Sequence, residues 1–71
     1  MDIRKQVGLN VRRLREEKGW SQEELAFEAD MHRTYISGIE RGVRNPTIIV
    51  LERIATKLEV KPGKLLEPHR S

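Results

Sequence analysis

Apolar residues in this chain return every three or four positions and nowhere in strict alternation, which confines it to a bundle of helices. Ile3, Val7, Val11 and Leu14 follow at intervals of four, four and three, a single stripe on a helix of about residues 2–17. Gly19 stands where such a helix needs a closing glycine. Gly8, inside it, costs up to about 1 kcal/mol relative to alanine and implies a close approach of another element. Leu9 lies off the stripe, toward solvent or a partner. Ser21 and Glu24 then form a capping box, and Trp20 is placed to staple onto Leu25. They open a second helix of about 21–28 with Leu25, Ala26 and Ala29 inward. A third helix over 32–41 is stopped by Gly42. Val43-Arg44-Asn45-Pro46 reads as a loop, and Thr47 caps a fourth helix of about 47–58. Its core stripe is Ile48, Leu51, Ile54, Ala55 and Leu58. Pro62 opens a last short helix carrying Leu65 and Leu66, and 67–71 form a frayed tail. The expected fold is all-α, five helices in one domain over 1–71.

Size limits what these helices can do alone. A 71-residue chain buries a small core, and with no cysteine it has neither a disulfide, a thiolate nucleophile nor a Cys-bound zinc to lean on. Helix packing, helped by a partner chain, must supply the stability. The balance of 35% charged and 37% hydrophobic residues is that of an ordinary globular protein. No apolar run nears the roughly 20 residues of a membrane span, and the start lacks the apolar stretch of a signal peptide, so a cytoplasmic, non-membrane protein is expected. His32 and His69 are too few for a metal site. Ser21 is spent as a cap, and no glycine-rich phosphate loop is present. No catalytic residue, cofactor or small-molecule ligand is expected, and therefore no enzyme.

The third helix carries the functional signal. At about 100° per residue, Ile36 and Ile39 share one side. Arg33, Thr34, Ser37, Gly38 and Arg41 gather opposite, with Tyr35 at the edge. A merely solvated face would carry Lys/Glu pairs, whereas this one has two arginines, two hydroxyls and no acid. Two short helices joined by a tight turn, the second with such a face, form the plan of a DNA-binding helix-turn-helix. The major groove, about 12 Å wide, admits one helix, and arginine is its best reader of guanine. Arg33, Thr34, Tyr35, Ser37 and Arg41 are therefore candidate contacts to double-stranded DNA. Gln22, at the N-terminus of the second helix, is placed for a phosphate. Arg44 and Asn45, just past the reading helix, are placed for contacts to the DNA backbone or groove.

Gln22-Glu23-Glu24-Leu25-Ala26, then Thr34 through Gly42, then Arg44-Asn45-Pro46-Thr47, resemble the Cro/Xre family of phage-repressor-like regulators over about Val7 to Leu66. Within it, Arg33-Thr34-Tyr35-Ile36-Ser37-Gly38 followed by Arg44-Asn45 is similar to the controller proteins of restriction–modification systems. The resemblance implies a lambda-repressor-like domain acting as a transcription regulator. It also implies an inward ion pair between Arg15 and Glu40. Two positions depart from the family pattern. Asp30 stands where the turn usually has glycine and must take a positive φ, and His32 is a weak cap for the third helix.

Homodimerisation is expected from the fourth helix, where Ile49 points about 160° from the core stripe and Val50 flanks it. Leu65 and Leu66 are the further candidates for that interface. A palindromic operator would match such a dimer. RNA polymerase is a further partner, recruited by a dimer upstream of a promoter or excluded by one lying over it. The rival classes are an antitoxin-like interaction module and a coactivator-type relative that does not read sequence. The first would need a partner-binding segment beyond the short tail, and the second a diffusely basic surface.

Overall fold

The computed structural model describes residues 2–69 and contains five helices and no strand among them. They are α1 (Ile3–Glu17), α2 (Gln22–Ala29), α3 (Arg33–Glu40), α4 (Ile48–Lys57) and α5 (Pro62–Leu66). Each boundary lies within a residue or two of the expected one, because the caps are local and strong. Asp2 accepts from the Arg4 amide, Ser21 and Glu24 close both halves of the capping box, and Thr47 accepts from the Val50 amide. Asp30 takes the left-handed conformation, φ 56° and ψ 53°, that the α2–α3 turn demands. The Met31 amide then bonds the Ala26 carbonyl and closes the turn. His32 makes no side-chain cap.

α1 packs on α3 and α5, α2 on α3 and α4, and α4 on α5. The core between them is aliphatic, built from Val7, Val11, Leu14, Leu25, Ile36, Ile39, Ile54 and their buried neighbours. Gly8 explains its own cost. A Cβ there would lie 2.3 Å from the Ile39 carbonyl oxygen and 2.6 Å from that of Glu40, so only glycine lets α1 lie against the end of α3.

Three expectations fail for tertiary reasons. Ile48, assigned to the core stripe, is 80% exposed, since α4 starts at this residue and its first turn overhangs the edge of the core. Leu65, proposed with Leu66 for a dimer interface, is fully buried in the monomer core and has no surface to offer a partner. The frayed tail is partly tied down instead. Asn10, buried on α1, donates to the carbonyls of Leu65 (2.9 Å) and Glu67 (2.7 Å), and its Oδ1 lies 3.3 Å from His69 Nδ1. Gln6 adds a bond to the Leu66 carbonyl at 2.8 Å. Arg70 and Ser71 lie outside the described residues.

Candidate nucleic-acid interface

The short turn at Asp30–His32 swings α3 out of α2 so that Ile36 and Ile39 enter the core and the opposite side faces away from the protein. Arg33 and Thr34 are exposed in its first turn, Tyr35 and Ser37 are half-buried, and Arg41 caps its C-terminus in the open. Among the described residues no carboxylate pairs with Arg33, Arg41 or Arg44. The cationic groups of this face therefore have no acid partner among the described residues.

Glu40 is the acid nearest to it in sequence, and it is turned inward. Its carboxylate accepts Arg15 Nε at 2.7 Å and Nη2 at 3.0 Å, a two-pronged pair whose side chains are only 10% and 4% exposed. These bonds push the Arg15 guanidinium above its ordinary pKa. Arg15 Nη1 also donates to the Trp20 carbonyl at 2.8 Å. The ion pair implied by the family resemblance is thus present, and it fixes α1, α3 and the approach to α2 to one another.

Gln22 joins this network. Its Nε2 donates to Glu40 Oε1 at 3.1 Å, which pins the amide from the inside. An amide nitrogen carries two protons, so one remains for an outside acceptor. The residue expected to hold a phosphate is half-buried and pre-oriented by the carboxylate that also anchors Arg15.

Arg44 departs from a simple loop residue. Its aliphatic stem lies over Gly38, where a Cβ would come within 2.4 Å of its Cγ. Its guanidinium carbon sits 5.9 Å from the centre of the Tyr35 ring, a cation–π distance. Gly38, placed by the sequence on the open outer face, is therefore buried under Arg44. The chain folds Arg44 back onto α3, and the amides of Val43 and Arg44 both bond the Gly38 carbonyl (3.0 and 3.2 Å). Asn45 stays exposed beside Pro46. A mid-helix glycine on a polar face was the available signal for this close approach.

Lys5 was missed. The first turns of α1 run along the loop after α3, with Ile3, Arg4 and Val7 sharing a groove with Asn45 and Pro46. A Cβ on Gly42 would meet Lys5 Cγ at 2.7 Å and its Cα at 3.0 Å. Nothing in the sequence marks Lys5, because its neighbours here are 37 or more residues away.

Ile49 is 65% exposed on α4, and Val50 is half-buried. Ile48, beside Ile49 at the start of α4, and the half-exposed Leu66 of α5 are the other exposed apolar residues of these two helices.

Comparison with known proteins places this geometry. The helix-turn-helix family profile matches residues 11–65. Control protein C.BamHI of Bacillus amyloliquefaciens is 51% identical over 67 residues, 93% of this chain and 83% of that protein. The crystal structure of the hypothetical transcription factor NHTF from Neisseria superposes with a TM-score of 0.91 at 42% identity, over 94% of this chain and 77% of that one. The restriction–modification controller protein C.Esp1396I, solved as a tetramer on its natural 35 base-pair operator, matches with a TM-score of 0.80 at 39% identity, over 94% and 99% of the two chains. Five helices on the repressor plan agree with these matches: the chain belongs to the helix-turn-helix family, in its Cro/Xre branch.

Proposed function

We propose that this chain regulates transcription by binding a palindromic operator as a homodimer, with α3 in the major groove. The outer face of α3 carries the reading: hydroxyls together with arginines that have no acid partner among the described residues, and the nearest acid in the helix turned inward and occupied. Arg33 and Thr34 are assigned to base edges. Tyr35 and Ser37 contact bases or phosphates, and Gln22, Arg41, Arg44 and Asn45 hold the backbone. The two-fold contact is assigned to Ile49 and Val50, joined by Ile48 and Leu66, whose exposed apolar surface a second copy would cover.

Likeness to C.BamHI and to the operator-bound C.Esp1396I supports a role as controller of a restriction–modification system. The dimer works by occupancy, recruiting RNA polymerase from one operator position and blocking it from another, with no catalytic step of its own. No helix among the described residues is long and apolar enough to cross a membrane. The proposed place of action is the cytoplasm, where a bacterial promoter would be met.

Selection of bound sequences from a random duplex pool should return an inverted repeat. Arg33→Ala should then relax the preference at one base pair per half-site, by about 1–3 kcal/mol, while random-duplex binding stays nearly intact. A uniform loss on every sequence would assign Arg33 to the backbone instead.

A further inference from the structure

Two basic residues stand side by side at the start of α1, and the structure treats them differently. Arg4 is taken up by Asp2, with Nε 3.2 Å from Oδ1 and Nη2 3.0 Å from Oδ2. Lys5 has no acid partner among the described residues. Its stem lies on Gly42, whose φ of +75° and missing side chain let the two backbones approach. Arg41 precedes that glycine, and Arg44 follows two residues later; both are exposed and unpaired within the same limits. Three cations from two distant parts of the chain thus stand within about one turn of each other along the end of α3: Lys5 against Gly42, Arg41 next to it in the chain, and Arg44 folded back over Gly38 with its guanidinium at Tyr35. Like charges gather this way only at a cost in mutual repulsion, which an anion seated among them removes.

We propose that Lys5, Arg41 and Arg44 form a single phosphate cradle at the C-terminal flank of α3, with Lys5 as its previously unassigned member. The ligand is a phosphodiester of the DNA strand that passes the end of the reading helix, and the inference rests on the operator-binding reading above. α1, otherwise a packing helix, thereby touches the nucleic acid through its first turn. Gly42 is required twice, once for its φ and once so that the lysine stem can cross it.

Counterion release makes this testable without knowing the operator. Each neutralised phosphate adds about 0.9 to the salt slope, so losing one per subunit lowers the slope of a dimer by about 1.8. Binding of the full chain to a random-sequence duplex would be titrated between 50 and 200 mM salt, for wild type, Lys5→Gln, Lys5→Arg and Lys57→Gln. Lys57, on the last turn of α4, serves as a charge-matched control. Lys5→Gln should lose about tenfold of the wild-type salt sensitivity over that range, Lys5→Arg should restore it, and Lys57→Gln should change it little. The thermal midpoint of Lys5→Gln should match wild type, since the residue is exposed. A slope for Lys5→Gln equal to wild type, or lowered no more than by Lys57→Gln, overturns the cradle while leaving operator binding in place. Failure of wild type to bind any duplex overturns the operator reading and the cradle with it.

Discussion

Glu40 carries three hydrogen bonds on one carboxylate, and their removal separates two kinds of residue. Arg15→Ala strands a buried anion and should cost about 3–5 kcal/mol. The double change Arg15→Met with Glu40→Leu removes both charges and should cost much less, as read from denaturant midpoints. Equal midpoints for wild type, single and double variants would mean that the pair contributes nothing. Asp2 behaves differently, lying at the surface. The Arg4 hydrogen bonds, from its side chain and its backbone amide, lower its carboxyl from 3.8 to about 2. A depressed carboxyl supports α1 fully above its unfolded pKa and loses that support as pH falls through the folded one. An NMR titration should therefore find the Asp2 midpoint near pH 2, and Arg4→Gln should return it toward 3.8.

Among the elements, α1 and α3 each hold one interior glycine, and the two should respond oppositely to alanine. At Gly8 the obstacle is backbone, the carbonyls of Ile39 and Glu40, which cannot move aside. Gly8→Ala should destabilise by at least the 1–3 kcal/mol typical of overpacking. At Gly38 the obstacle is the flexible stem of Arg44. Gly38→Ala should gain helix propensity, up to about 1 kcal/mol, while dislodging Arg44 from Tyr35. Its thermal midpoint should hold or rise as DNA affinity falls; a drop in both would place the obstacle in the backbone. These glycines also mark how far the sequence could be read. Helix number and ends were legible because Ser21, Glu24, Thr47, Gly19 and Gly42 act within a turn of themselves, and the outward side of α3 because Ile36 and Ile39 mark its inner side. The inward pair Arg15–Glu40 was legible only through resemblance, since 25 residues separate the partners. Asn10 and Lys5 had no local signature at all, and the Arg44–Gly38 contact had only the mid-helix glycine on a polar face. Ile48 and Leu65 were misplaced because a period fixes the side of a helix that a residue occupies, not whether another helix covers that side.

For the whole molecule, the exposed apolar surface of α4 sets the expected assembly. Ile49→Asp introduces a charge that a self-complementary face would place near its own copy. It should yield monomer in analytical ultracentrifugation at micromolar concentration and weaken operator binding through loss of the second half-site. An unchanged dimer would move the interface off α4. Leu65, enclosed by its own chain, is no candidate for the alternative, whereas Leu66 is. The seat of α3 on Gly8 has a consequence of another kind. With two carbonyls resting against a bare Cα, α3 has no room to move closer to α1, and its outer face is expected to be presented in one posture. Arrival is then governed by diffusion and by the pull of a polyanion on a cationic face, and departure by contacts alone. In a regulator of this build, operator occupancy would follow the concentration of the protein itself.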